Sequence, residues 1–209
     1  MEEIMIKACL CDLFGILVSD TKCSGGASEE ITTSSRNDST DSLGNLGGLT
    51  GLSPEDNRQR VYENARGYFE QSGAQMPDML LPGALDFIKD LYRHGIRMAS
   101  TATDCRPEKV LSSVGLYSMF DYIVDPQTVA ERPAPEALLK AANNLGIDPE
   151  ECIAIENTPE GIEAAKAAGM RCLAVGDLTR LYTADMAVPD VRGLTLLRIK
   201  DGLEVRPAG

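Results

Sequence analysis

Carboxylate, amide, hydroxyl and guanidinium side chains each follow a short apolar segment of this sequence. Asp12 and Glu156 offer hard carboxylate oxygens, which are the ligands that proteins use to share a divalent cation. Arg132, together with the start of a helix after Thr158, offers positive charge and hydrogen-bond donors to an anion. These residue types indicate one site that holds both a cation and an anionic group.

Loop capping is the alternative role for each of these residues, because Asp and Asn at strand ends often hydrogen-bond to the following turn. For a single residue, loop capping is the better interpretation. Polar residues after four successive predicted strands favour a shared site instead. The residues in these positions are Asp12, Thr101 to Thr103, Asp125, Arg132, Glu156, Asn157 and Asp177.

The polar side chains meet only if the apolar segments before them are parallel strands of one sheet. Strands alternating with helices of about ten residues predict an α/β fold with a parallel sheet, whose ligands bind at the carboxyl ends of the strands. The predicted strands span 4–13, 96–101, 122–124, 152–155, 172–175 and 184–188. The predicted helices span 83–94, 135–145 and 159–168, and a further one starts near Asp104 or Pro107 and runs to Val114.

The segment between the first strand and Leu81 has a different composition. Residues 21–50 are mainly Ser, Thr, Gly, Asn and Asp, which bury too little apolar surface to offset the entropy lost on ordering. We expect loops there, followed by a helix from Pro54 to about Ser72.

The charge balance limits the partners. With 20 basic and 32 acidic residues, the net charge of −12 disfavours nucleic acid and anionic membrane surfaces. Residues 1–7 are too acidic to begin a signal peptide, and the apolar stretch behind them is too short to span a membrane. We therefore expect a cytoplasmic protein whose six cysteines are reduced.

Several short motifs, in their order and spacing, resemble those of the haloacid dehalogenase superfamily, and within it the β-phosphoglucomutase-like phosphatases. Together they extend over nearly the whole chain except residues 21–50 and the last dozen. The motifs are KACLCDLFGIL at 7–17, GLSPED at 51–56, LPG at 81–83, MFD at 119–121, RPAPE at 132–136, IENTPEGIEAA at 155–165 and AGM at 168–170.

This resemblance implies a Rossmann-like three-layer core formed by residues 1–19 and 80–209. It also implies a small, shortened helical cap, residues 20–79, inserted after the first strand. The implied activity is that of a Mg²⁺-dependent phosphatase acting on a small phosphorylated metabolite. In this family the first Asp of the first motif attacks phosphorus and forms a covalent aspartyl-phosphate.

The family's functional positions can be carried onto this sequence residue by residue. Asp12 is then the expected nucleophile. The expected phosphate ligands are Thr101, Thr103 and Arg132, and the expected metal ligands are Asp12, the backbone carbonyl of Phe14, Glu156 and Asn157.

Some of these positions depart from the family pattern. Phe14 replaces the second Asp of the Asp-x-Asp motif, a general acid/base whose contribution is typically about 10²- to 10⁴-fold. Ala102 stands where the family has a hydroxyl, with threonines on either side. Arg132 replaces a lysine, and Asn157 replaces an acid that binds the metal.

Three hypotheses follow. The first is a Mg²⁺-dependent phosphatase, weakened by the loss of the acid/base. The second is a catalytically degenerate binding or interaction protein that keeps the fold. The third, less favoured, is a 2-haloacid dehalogenase in which Asp12 attacks carbon; that branch tolerates an aromatic residue at position 14 but needs an early Arg and a Ser-Asn pair that are missing.

Overall fold

The computed structural model describes residues 5–19, 80–102 and 107–204. Within them, parallel strands form one six-stranded sheet in the order β3-β2-β1-β4-β5-β6. The order changes direction between β1 and β4, and open α/β sheets bind ligands at such a point. The strands are β1 Ala8–Cys11, β2 Arg97–Ser100, β3 Tyr122–Ile123, β4 Cys152–Glu156, β5 Arg171–Val175 and β6 Met186–Val188.

Helices cover both faces of the sheet. On one face, Cys9 and Cys11 of β1 belong to an apolar cluster with residues of α1, α2 and α5; on the other, Ala8 and Leu10 pack with residues of α3 and α4. Because alternate side chains enter opposite clusters, the central strands are mainly apolar, with polar Ser100 and Glu156 at their carboxyl ends. This is the predicted three-layer Rossmann-like fold. The helices are α1 Ala84–Arg93, α2 Pro107–Ser113, α3 Glu136–Leu145, α4 Pro159–Ala167 and α5 Leu196–Glu204.

The helix boundaries follow the signals in the sequence. The Thr158 hydroxyl accepts a hydrogen bond from the Gly161 amide at 3.0 Å and so caps the start of α4. Gly146 ends α3 in the left-handed conformation, with φ of 67°. Pro135, predicted as the first residue of that helix, instead lies one position earlier as its N-cap.

The described residues before and after the predicted cap contact each other. Val18 forms an antiparallel bridge with Leu80, and the Leu81 amide donates to the Leu17 carbonyl at 2.8 Å. The predicted cap, residues 20–79, and the helix from Pro54 lie outside the described residues. Val18 and Leu80, described residues that flank this segment, nevertheless lie side by side.

Several helical elements of the structure were not predicted. The C-terminal helix α5 is absent from the predictions, as are short 3₁₀ helices at Tyr117–Met119, Pro126–Thr128 and Pro149–Glu151.

The described cysteines, at positions 9, 11, 152 and 172, are free thiols, as expected. No helix in the described ranges has the length and apolar character needed to cross a membrane.

Candidate active site

The register of the three central strands brings Asp12, Thr101 and Glu156 to the same level. Cys11 lies opposite Ser100 of β2 and Ile155 of β4. One residue further, the Asp12 amide donates to the Ile155 carbonyl and the Thr101 amide to the Cys11 carbonyl, both at 3.0 Å. The backbone ladder therefore fixes these three residues side by side at the carboxyl end of the sheet.

Arg132 joins this group through an ion pair with Glu156. Its Nη2 atom lies 2.5 Å from Glu156 Oε1, and the two side chains are only 13% and 1% exposed. The same nitrogen lies 3.4 Å from the Thr101 carbonyl and 3.5 Å from the Thr101 hydroxyl, near the outer limit of a hydrogen bond. Arg132 Nη1 is buried and has no hydrogen-bond partner in the described part of the chain. This donor is suited to an anionic ligand.

Asp12 is the candidate nucleophile of the site. Its side chain is partly exposed, whereas Glu156 is buried. The Leu13 amide donates to Asp12 Oδ1 at 2.6 Å, which holds the carboxylate at the tip of β1. The neighbouring Cys11 thiol does not compete with it, because burial, and secondarily nearby negative charge, raises the pKa of Cys11 well above its usual value.

Phe14 and Asn157 are joined across the site. The Asn157 side-chain amide donates to the Phe14 carbonyl with a nitrogen–oxygen distance of 2.8 Å. The Phe14 ring is 6% exposed and belongs to the apolar cluster on the side of α1. A benzyl side chain there transfers no proton, so only the backbone carbonyl of this residue has a polar role.

A magnesium ion fits the donor set around Asp12. No group of three or more His, Cys, Asp or Glu residues within the described segments forms a metal cage. Mg²⁺, however, usually binds to one or two carboxylates and completes its shell with water and substrate phosphate. Asp12, Glu156, the Phe14 carbonyl and the amide oxygen of Asn157 would hold the ion.

The remaining predicted positions divide into two groups. Asp125 and Asp177 cap loops, since their Oδ1 atoms accept the Gln127 and Thr179 amides, each at 3.0 Å. For these two residues the loop-capping interpretation is correct. Thr103 lies outside the described residues, and Ala102, at the position of the family hydroxyl, is fully buried.

Sequence reasoning missed one polar atom near the site. Ser100, directly before Thr101, is fully buried, and its hydroxyl has no partner in the described ranges. Ser100 lies inside the predicted strand, and nothing in the sequence indicated that it would have a polar role in addition to Thr101 and Thr103.

Comparisons with known proteins agree with this geometry. A family model described as haloacid dehalogenase-like hydrolase matches residues 6–169. Beta-phosphoglucomutase of Bacillus subtilis is 31% identical over 170 residues, which cover 80% of this chain and 75% of that protein. The bifunctional riboflavin kinase/FMN phosphatase of Arabidopsis thaliana is 36% identical over 111 residues, which cover 50% of this chain and 29% of the relative.

A solved structure shares the fold. Beta-phosphoglucomutase from Clostridium difficile superposes with a TM-score of 0.66 at 24% sequence identity, covering 96% of this chain and 98% of that one. The match of the family model over most of the chain, together with the acid at the tip of β1, places this protein in the haloacid dehalogenase-like hydrolases, among the β-phosphoglucomutase-like members.

Proposed function

We propose that the protein is a Mg²⁺-dependent phosphatase that hydrolyses a small phosphorylated metabolite through an aspartyl-phosphate at Asp12. The observation that carries this proposal is that Asp12, Thr101 and Glu156 end neighbouring strands at one edge of the sheet, where Glu156 and Thr101 contact Arg132. One buried nitrogen of Arg132 has no partner among the described residues. The relative from Arabidopsis thaliana is a bifunctional riboflavin kinase/FMN phosphatase, which supports the same class of substrate. We infer no nucleic acid or membrane partner, given the net charge of −12.

The residues of this chain have separate parts in the reaction. A carboxylate oxygen of Asp12 bonds to phosphorus while the bond from phosphorus to the ester oxygen breaks, and the alcohol leaves. Water then attacks phosphorus and releases inorganic phosphate from Asp12. Arg132 holds the phosphoryl oxygens in line with Asp12, since phosphoryl transfer depends mainly on positioning and electrostatic stabilisation. Mg²⁺, when bound, neutralises charge on the phosphoryl oxygens.

The leaving alcohol must obtain its proton without help from residue 14. Where the family has a carboxylate, Phe14 places a buried ring. Solvent therefore has to supply the proton in the first step and accept one in the second. We expect slow turnover, with the greatest loss for substrates whose leaving group is a poor one.

Replacing Asp12 tests the proposed chemistry directly. We expect the wild type, with Mg²⁺ and a panel of sugar phosphates, to release inorganic phosphate, and Asp12→Asn to abolish that release, because an amide does not form the acyl-phosphate. Mass spectrometry of protein quenched in acid should show a phosphate adduct at Asp12. Asp125→Asn is the control, because it makes the same change from carboxylate to amide in an acid that only caps a loop. It should keep wild-type turnover.

Replacing Asn157 tests the proposed metal site. Asn157→Asp would put a carboxylate against the Phe14 carbonyl, now 2.8 Å from the amide, and a cation relieves the resulting repulsion. We expect Mg²⁺ affinity to rise roughly tenfold or more, because added ligand charge strengthens binding of hard cations. Titration calorimetry with Mg²⁺ measures it. Asn143→Asp, on an exposed turn of α3, makes the same change in net charge and should leave the affinity unaltered.

The buried Phe14 ring also favours a second candidate, a non-catalytic protein that binds phosphorylated ligands. Such a protein would bind inorganic phosphate or a sugar phosphate at Arg132 yet release no product. A wild type that binds phosphate but forms no adduct at Asp12 and hydrolyses nothing in the panel would establish this candidate over the phosphatase.

A further inference from the structure

The carboxylate of Glu156 lies directly against Gly161 in the first turn of α4. A methyl group at position 161 would come within van der Waals overlap of Glu156 Oε2 and would lie 2.8 Å from Cδ and 3.1 Å from Cβ. Real Cβ atoms essentially never approach other heavy atoms closer than 3.0 Å. The space that a side chain at position 161 would fill is therefore occupied by the Glu156 carboxylate.

The local backbone gives no other reason for a glycine here. Gly161 does not adopt a positive φ, unlike the glycines that end helices in this chain. Inside a helix, glycine is also less favourable than alanine because of its larger backbone entropy in the unfolded chain. The glycine at position 161 is therefore explained by the space that it leaves for the Glu156 carboxylate.

The group that occupies this room holds Arg132. Glu156 is 1% exposed, and its Oε1 atom lies 2.5 Å from Arg132 Nη2. A carboxylate moved away from α4 by even part of the overlap with a new methyl group would not keep that distance. The position of the guanidinium therefore depends on residue 161 indirectly, through Glu156.

We propose that Gly161 is a positioning residue for phosphoryl binding: it leaves the space in which Glu156 lies, and Glu156 in turn fixes Arg132. The phosphoryl part of this inference rests on the proposed function, whereas the dependence of Glu156 on Gly161 does not.

A double-mutant cycle between Gly161→Ala and Glu156→Ala tests the proposal. Binding of inorganic phosphate in the presence of Mg²⁺ and the melting temperature are measured for the wild type, both single variants and the double variant. Each single substitution should weaken phosphate binding about tenfold, as expected for a supporting residue. In the Glu156→Ala background, Gly161→Ala should cause no further loss of affinity and should no longer lower the melting temperature.

Gly202→Ala is the matched control. Gly202 lies in α5, away from Arg132, and a methyl group there would lie 2.6 Å from the Met186 sulfur. Like Gly161→Ala, it adds a methyl group to a helical glycine, but the end of the partly buried Met186 side chain can move aside, so the melting temperature should fall less. It should leave phosphate affinity unchanged, which separates a general packing defect from displacement of Glu156.

A measurement on Arg132 itself completes the test and does not require Glu156→Ala to fold. Phenylglyoxal modification, mapped by mass spectrometry, should be several-fold faster at Arg132 in Gly161→Ala than in the wild type and in Gly202→Ala. An unchanged modification rate would overturn the proposal, and so would losses of phosphate affinity that add in the double variant. Where the wild type binds phosphate, equally tight binding by Gly161→Ala would also overturn it. A wild type that binds no phosphate would refute the proposed function, and the modification rate and melting temperatures would still decide the role of Gly161.

Discussion

Replacing Arg132 by methionine is expected to abolish phosphate binding and to destabilise the protein by about 3–5 kcal/mol. The variant leaves the Glu156 carboxylate, which is 1% exposed, without the guanidinium that lies 2.5 Å away. Removing one partner of a buried ion pair costs far more than the net contribution of the pair, because the remaining carboxylate has already lost its hydration. The same substitution removes the buried nitrogen that we assign to the phosphoryl group.

Equilibrium unfolding in urea and titration with inorganic phosphate measure these two effects. Arg192→Met is the control, because Arg192 forms a comparable ion pair with Asp190, at 2.6 Å, whose side chains are 69% and 36% exposed. Removing this exposed pair should change stability little and phosphate binding not at all. An Arg132→Met protein as stable as the wild type would show that the buried ion pair contributes little to the free energy of unfolding.

Restoring only part of Arg132 should give an intermediate result. Arg132→Lys keeps the positive charge, and the family has a lysine at this position, but an ammonium presents no planar fork. Lysine can pair with Glu156 or with the phosphoryl oxygens through one group. We therefore expect most of the stability to return while phosphate affinity stays below that of the wild type.

The sheet was predictable because its strands are short apolar runs between strong boundary signals. Strands β1, β4 and β5 are buried over almost their whole lengths, and each predicted run overlaps the observed strand. Thr158 and Gly146 mark helix ends by hydrogen bonding and by positive φ, which are properties of the residue types themselves. The helix α5 begins at a similar cap, since the Thr195 hydroxyl accepts from the Arg198 amide at 3.3 Å. It was missed because Gly202 interrupts its apolar pattern, and its Leu196 amide donates to the distant Asp90 carboxylate.

The grouping of the site was predictable from topology, whereas the pairing within it was not. Parallel strands bring Asp12, Thr101 and Glu156 to one edge whatever their side chains do. That Glu156 turns towards Arg132 depends on empty space beside α4, which a sequence pattern does not reveal. The contact between Asn157 and the Phe14 carbonyl likewise joins residues 143 positions apart. Such choices are made by packing among distant residues, so that residue types alone leave them open.

Replacing Phe14 by aspartate is expected to accelerate turnover by about 10²- to 10⁴-fold, the usual contribution of a general acid/base. The gain comes with a loss of stability, because the ring is 6% exposed within the apolar cluster beside α1. Loss of a buried phenyl group typically costs about 3–5 kcal/mol. A carboxylate would not remain in that apolar environment, since burial of an unpaired charge is unfavourable; it should instead turn towards the solvent and Asp12.

Phe14→Asn is the matched control for this gain. It removes the same ring and has nearly the same shape as Phe14→Asp, but its amide neither donates nor accepts a proton at neutral pH. Phosphate release from sugar phosphates, measured across pH for both variants, separates proton transfer from loss of packing. Acceleration in Phe14→Asp alone, strongest for substrates with poor leaving groups, would show that the chain retains every part of the reaction except the acid/base. Equal rates in the two folded variants would mean that proton transfer does not limit this site, and the role of Asp12 as a nucleophile would then depend on the adduct experiment alone.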